Sequence, residues 1–86
     1  MYKVIIKKSA IRELENITKV FRLKIIQKID DLASDPRPQG IRKLENSLNS
    51  YRIRVGSYRV IYTIEDQNLL VEVIKVADRK DAYRSK

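Results

Sequence analysis

The sequence predicts one α+β domain over residues 1–86, in which an α-helical hairpin packs on one face of a four-stranded, mostly antiparallel sheet. An apolar segment opens the chain, two helical patterns follow it, and three strand-like segments joined by tight turns come last. Strands joined by tight turns pair antiparallel. The predicted order of elements is therefore β-α-α-β-β-β, followed by a short C-terminal helix or tail over Asp78–Arg84.

The first strand is predicted at Tyr2–Ile6, and the sequence leaves open whether it lies at an edge or in the middle of the sheet. Ser9 is a favourable N-cap residue for the first helix. The apolar residues after it are spaced for one face of that helix: Ala10, Leu14 and Ile17.

Thr18 is predicted to cap a second helix from about Lys19 to Ser34, which ends there because neither Pro36 nor Pro38 can continue a helix. Its apolar residues are predicted to line one side: Val20, Ile25, Ile29, Leu32 and Ala33, with Phe21 and Ile26 beside them.

Tyr51–Ile64 has the pattern of a β-hairpin whose turn is Gly56-Ser57. The register that follows places one set of side chains toward the core: Tyr51, Ile53, Val55, Tyr58, Val60 and Tyr62. Arg54 then lies opposite Arg59 on the other face, with Arg52 beside them. Like charges opposite one another on a sheet are unfavourable, which indicates that an anion binds there. Arginines that simply extend into solvent are the alternative.

Two further segments complete the sheet. Residues 41–50 form a polar connection, from which Leu44 and Leu48 are expected to dock on the core. A turn at residues 65–68 leads into the last strand, Leu69–Val76, whose nearly continuous apolar character predicts a central position.

The composition limits the classes of function. The chain contains no cysteine and no histidine, which excludes disulfides, the usual zinc sites and histidine-based acid–base catalysis. No segment is apolar over the ~18 residues that a membrane helix needs, and we expect a cytoplasmic protein without metal or cofactor. Nineteen Lys and Arg against eleven Asp and Glu give a net charge of +8, which favours a polyanionic partner.

Arginines clustered on a sheet face suit a phosphodiester backbone, because guanidinium groups bind phosphate oxygens through paired hydrogen bonds. The segment after the last strand adds Arg79 and Tyr83, together with Lys80 and Arg84. Tyr83 is suited to stack on a base or to bond a ribose 2′-OH. A tyrosine that only covers the edge of the core is the alternative.

The pattern YRIRVGSYRVIYTI, followed by a turn, an apolar strand and DRKDAYR, resembles the RelE/ParE superfamily of toxin–antitoxin toxins, and within it the RelE branch. The similarity covers nearly the whole chain. Its marks are the basic pair before the hairpin turn, G-x-Y-R after the turn, and the terminal R-x-x-x-Y.

This resemblance implies a RelE-like, microbial-ribonuclease-like sheet and metal-independent cleavage of mRNA in the ribosomal A site. It also implies a cognate antitoxin, and binding of the toxin–antitoxin complex to operator DNA. By position, Arg52 and Arg54 match the family's basic pair, Arg59 its phosphate-binding arginine, and Arg79 with Tyr83 its terminal pair.

The chain departs from many relatives, which carry lysine at one or both of the first two positions, and from some that carry histidine in place of Asp78. Arginine keeps its proton at neutral pH, so the implied role is charge stabilisation during attack of a 2′-OH on its adjacent phosphate. Two alternatives remain: a ParE-like inhibitor of DNA gyrase without nuclease activity, and a non-catalytic nucleic-acid-binding module.

Overall fold

The computed structural model describes residues 1–45 and 47–78. The elements in chain order are β1 (Lys3–Ile6), α1 (Lys8–Glu15), α2 (Lys19–Asp31), β2 (Arg42–Lys43), β3 (Ser50–Val55), β4 (Tyr58–Glu65) and β5 (Leu70–Asp78). The predicted α+β class and the helical hairpin are confirmed. Of the terminal helix or tail predicted over Asp78–Arg84, Asp78 is instead the last residue of β5, and the positions after it lie outside the described residues. Within the described ranges, no helix combines the length and apolar character needed to span a bilayer.

The sheet has five strands in the order β1-β5-β4-β3-β2, one strand more than predicted. β1 pairs in parallel with β5, so the first strand lies at an edge. The other neighbours are antiparallel, and apolar β5 is internal, as predicted. The extra strand, β2, lies in the connection predicted to be irregular. Its two residues are both basic and exposed, so they carry no strand signal, and only the pairing with β3 defines the strand.

Both helices start and end close to the predicted positions, with two corrections. Ser9 is not the N-cap residue of α1, because the extended backbone of Lys7 takes that position and its carbonyl accepts the Ile11 N–H at 2.9 Å. Thr18 occupies the N-cap position of α2, as predicted, but its side chain makes no capping hydrogen bond. This helix ends at Asp31 rather than Ser34, because the following residues form tighter bonds, such as Ala33 N–H to the Asp30 carbonyl at 3.1 Å.

The helices cover one face of the sheet and enclose the core with it. The largest fully buried side chains are Tyr62, Ile25, Ile29, Leu32, Val60, Val71 and Val73. Val20 is 65% exposed, so its prediction as part of the buried stripe is wrong. The five residues from Val20 to Ile25 rotate the helix by about 140° beyond a full turn, which places Val20 on the outer side.

The connection after α2 docks differently from the prediction. Leu48 is 91% exposed, so the expectation that it reaches the core is wrong, and Leu44 is only half-buried. Ile41 packs against the core instead, because it directly precedes the pairing of β2 with β3.

A β-bulge in β5 aligns its apolar residues with the core. Ile61 pairs with Lys75 and Tyr62 with Val73, which leaves Ile74 as the additional residue. Val73 and Val76 would point to opposite faces of a regular strand, because their separation is odd. The bulge brings both to the core face, where their exposed fractions are 0% and 2%, and keeps Glu72 on the other face.

Candidate nucleic-acid interface

The hairpin of β3 and β4 has the predicted register, with Val55 opposite Tyr58 and Arg54 opposite Arg59. Gly56 supplies the left-handed conformation that the two-residue turn requires, with φ of 61°. Ile53 and Val60 are buried on the helix side. Because side chains alternate along a strand, the arginines lie on the opposite face.

The structure brings three of the predicted site residues together on this second face: Arg52, Arg54 and Arg59. Arg54 is exposed, whereas Arg52 and Arg59 are half-buried. The Nε atom of Arg59 is itself buried, and the residue opposite it on β5 is the small Ala77. The stem of Arg59 is therefore less accessible than that of Arg54. No element in the described part of the chain covers this face.

A fourth arginine, which the sequence analysis missed, belongs to the same surface. Arg42 of β2 pairs directly with Arg52 of β3, and cross-strand partners point to the same face. We call the surface formed by Arg42, Arg52, Arg54 and Arg59 the arginine face. The packing of its neighbour Ile41 against the core agrees with this face for Arg42, but it is known only from the structure.

The arginine face extends across β2, β3 and β4, which is about 10 Å for three strands at the usual spacing. Carboxylates on this side of the sheet lie toward the other end of the strands. Glu72 is opposite Thr63, which is itself opposite Ser50, and Glu65 lies further along. Within residues 1–45 and 47–78, no group of three or more metal-ligating side chains forms a potential metal site.

One further arginine has a structural role. The two terminal nitrogens of Arg37 donate to the two oxygens of Asp66 at 3.1 and 2.9 Å, and the Tyr2 hydroxyl donates to the same carboxylate at 2.6 Å. These hydrogen bonds, that of Arg37 foremost, lower the pKa of Asp66 to about 2. Arg37 also lies over the ring of Tyr51, 5.5 Å from its centroid. Its charge is therefore neutralised within the chain.

The remaining predicted site residues, Arg79 and Tyr83, lie outside the described residues. Their assignment stays a prediction from the sequence.

These features define a class: a small, basic α+β protein with helices on one face of a sheet and arginines on the other. A family model described as the ParE toxin of the type II toxin–antitoxin system parDE matches residues 4–83. The toxin RelE of Mycobacterium tuberculosis is 32% identical over 85 residues, which cover 96% of this chain and 87% of that protein.

Solved structures agree with these sequence relationships. The archaeal RelE–RelB complex from Pyrococcus horikoshii OT3 superposes with a TM-score of 0.83 at 28% identity, covering 98% of both chains. The intact Escherichia coli RelBE toxin–antitoxin complex gives a TM-score of 0.79 at 25% identity, with 91% of this chain and 96% of that chain covered. The chain therefore belongs to the ParE toxin family of type II toxin–antitoxin systems, within the RelE/ParE superfamily, and is a toxin of the RelE type.

Proposed function

We propose that this toxin is a ribosome-dependent endoribonuclease that cleaves mRNA in the A site and so inhibits translation. The main support is the position of Arg54 directly opposite Arg59 on a sheet face that no described element covers. Guanidinium groups match phosphate oxygens through paired hydrogen bonds, and two of them in register on a rigid pair of strands form a cationic surface suited to a phosphodiester. The resemblance to the RelE branch favours mRNA as the source of that phosphate.

The proposed reaction is in-line attack of a ribose 2′-oxygen on its adjacent phosphorus. The O2′–P bond forms and the P–O5′ bond breaks, while O2′ loses a proton and O5′ gains one. The products are a 2′,3′-cyclic phosphate and a 5′-hydroxyl. The pentacoordinate transition state carries additional negative charge, which cations fixed on a rigid sheet stabilise without reorganisation.

We assign roles to the predicted residues according to this reaction. Arg59 and Arg79 hold the scissile phosphate, while Arg52 and Arg54 position it and offset the developing charge. Tyr83 orients the attacking hydroxyl or stacks on a base. The mechanism needs no metal, because guanidinium groups supply the positive charge.

The ribosome supplies what this small surface lacks. Arginine is a poor proton acceptor at neutral pH, and Glu65 and Glu72 lie toward the other end of the sheet. Alignment of the 2′-oxygen with the phosphate, which contributes strongly to such reactions, then comes from mRNA held in the A site. Purified toxin should therefore cleave naked RNA far more slowly than mRNA on programmed ribosomes.

A second candidate function is inhibition of DNA gyrase by protein–protein contact, and the match to a family model named for ParE favours it. Primer extension on mRNA from cells that express the toxin alone distinguishes the two functions. The nuclease produces cuts in register with codons. Intact mRNA together with trapped gyrase–DNA cleavage complexes would contradict the proposal and support gyrase inhibition. Binding to RNA without cuts of either kind would indicate a non-catalytic module.

We also propose a cognate protein antitoxin in the cytoplasm, and binding of the complex to its operator DNA. Both structural relatives described above are complexes of RelE with RelB. The outer side of α2 offers a surface for such a partner: Val20 and Leu23 are 65% and 54% exposed and lie one turn apart. Lys19, Lys24 and Lys28 are exposed around them. This arrangement is complementary to an amphipathic helix with acidic flanks.

A further inference from the structure

We propose that Arg42 joins Arg52 in a second phosphate subsite next to the Arg54–Arg59 pair, so that the arginine face binds two consecutive phosphates of a single-stranded RNA and Arg52 positions the scissile phosphate by holding its neighbour. The inference rests on the proposed function for its choice of RNA as the ligand. It adds a binding residue and a direction of the strand across the sheet.

The first step is the register of β2. Arg42 pairs with Arg52 and Lys43 with Tyr51, and the Leu44 N–H donates to the Ser50 carbonyl at 2.9 Å in the same ladder. Residues in register across antiparallel strands have Cα atoms roughly 5 Å apart and point to one face. Arg42 therefore stands beside Arg52 for the same reason that Arg54 stands beside Arg59.

The second step is the spacing of the two pairs. Arg52 and Arg54 are two residues apart in β3, which separates the pairs by about 7 Å along the strand. The Arg54–Arg59 pair spans β3 and β4, whereas the Arg42–Arg52 pair spans β2 and β3, which adds a lateral offset of about 5 Å and makes the centres of the pairs roughly 8 Å apart. Long arginine side chains adapt this spacing to consecutive phosphates of an extended polynucleotide. One phosphate at each pair directs the RNA backbone obliquely across β3, from the hairpin turn toward the edge strand β2.

The third step concerns the cost of this arrangement. Two arginine pairs in register concentrate like charges on adjacent strands, and a phosphate bound at each pair lowers the resulting positive potential. Charged residues on an edge strand also prevent edge-to-edge association of sheets, and this role alone would explain basic residues in β2. Lys43 lies on the same edge strand but faces the helix side with Tyr51. Comparing Arg42 with Lys43 therefore distinguishes phosphate binding from protection of the sheet edge.

The test compares Arg42→Ala with Lys43→Ala, which removes the same charge from the adjacent exposed residue. Affinity for a short fluorescein-labelled oligouridine is measured by anisotropy over a range of salt concentrations. Arg42→Ala should weaken binding roughly threefold to tenfold and lower the salt slope by about 0.7, the value for one phosphate contact of a single strand. Lys43→Ala should change the affinity less than about twofold. Equal effects of the two variants would overturn the proposal.

Two additional measurements complete the test. Arg42→Gln, which keeps a long polar side chain on β2, should reproduce the loss if Arg42→Ala folds poorly, with melting temperatures as the check. Poly-L-glutamate serves as an acidic polypeptide probe. A variant at position 42 that loses affinity for poly-L-glutamate but not for oligouridine would overturn the RNA assignment in favour of a protein ligand.

The kinetic readout separates this inference from the proposed function. On programmed ribosomes, Arg42→Ala should raise KM by about the factor lost in binding, with kcat within about twofold, because the subsite lies beside the scissile phosphate and not at it. A wild-type toxin that binds oligouridine with the expected dependence on Arg42 but leaves mRNA uncut would refute the nuclease and leave the subsite intact.

Discussion

Arg59 and Tyr62 lie in one strand but serve opposite faces of the sheet. Tyr62 is fully buried, and its hydroxyl donates to the Pro36 carbonyl at 2.9 Å. Burial is the main reason that the pKa of Tyr62 is raised to about 12. Arg59 belongs to the arginine face, where it lies opposite Arg54. We therefore expect Tyr62 to stabilise the fold and Arg59 to act on the substrate.

Two alanine variants test this division. Tyr62→Ala should lower the free energy of unfolding by roughly 3 kcal/mol, because a buried aromatic ring is lost. Arg59→Ala should change it by less than about 1 kcal/mol, since loss of stem packing is offset by relief of repulsion with Arg54. Its ribosome-dependent cleavage should fall by about tenfold to a thousandfold. Melting curves and cleavage assays of both variants measure these effects. A severely destabilised Arg59→Ala beside a normally stable Tyr62→Ala would mean that the two faces are assigned the wrong way round.

At the scale of elements, α1 supplies a hydrogen-bond acceptor to β5 beyond the point where β1 ends. β1 ends at Ile6, whereas β5 continues to Asp78. The Lys7 N–H still donates to the Val73 carbonyl. Further along β5, the Val76 N–H donates to the Oε1 of Glu13 at 2.8 Å instead of to a backbone carbonyl of β1. The helix thus supplies the acceptor that a longer β1 would have supplied.

Removing this acceptor should destabilise the protein measurably. Glu13→Ala should lower the free energy of unfolding by about 1–2 kcal/mol, because the N–H of Val76 loses its partner in a partly buried site. Glu13→Gln keeps a side-chain oxygen at the same reach and should retain most of the stability. Urea denaturation of the two variants provides the comparison. Equal losses in both would show that the charge of Glu13, through its 3.2 Å pair with Lys75, matters more than the hydrogen bond.

The outer side of α2 gives a prediction for the antitoxin. Leu23→Glu should weaken association with the antitoxin about tenfold or more, because a charge enters an apolar contact and opposes acidic flanks. The melting temperature of the free toxin should hardly change, since Leu23 is half-exposed. Ser9→Glu adds the same charge on exposed α1 and serves as the control. Equally strong binding of the co-expressed antitoxin by both variants would contradict the assignment of α2 as the partner surface.

At the scale of the whole molecule, the Arg37–Asp66 pair joins three distant parts of the chain. Asp66 lies in the turn between β4 and β5, Arg37 in the loop after α2, and Tyr2 just before β1. Because the folded protein lowers the pKa of Asp66 from 3.8 to about 2, the ionised carboxylate favours the folded state. This contribution is complete above the ordinary pKa and is lost as the pH falls through the lower one.

The Asp66→Asn variant isolates that contribution. At neutral pH it should melt below the wild type, and the gap should close as the pH falls from 3.8 toward about 2, where the wild-type carboxylate becomes protonated. Thermal melts of both proteins across this range provide the measurement. A gap that stays constant to the acid end would assign the effect to lost hydrogen-bond geometry instead of ionisation.

Side-chain periodicity in the sequence alone determined the two helices, the hairpin register and the face on which Arg52, Arg54 and Arg59 lie. These features depend on residues close together in the chain. A single Gly56 at the turn sets which residues oppose one another, and alternation then sorts them between core and solvent.

Only the tertiary structure decided the features that depend on pairing between distant segments. The position of β1 at an edge, the bulge at Ile74 and the addition of β2 arise from backbone hydrogen bonds, which leave little trace in side-chain pattern. The bulge could not be predicted because, in an almost wholly apolar strand, the side-chain pattern does not show which residues face the core. Arg42 was missed as a site residue because two consecutive basic residues indicate a loop as readily as a strand. Only the pairing of Arg42 with Arg52 shows on which face of the sheet Arg42 lies.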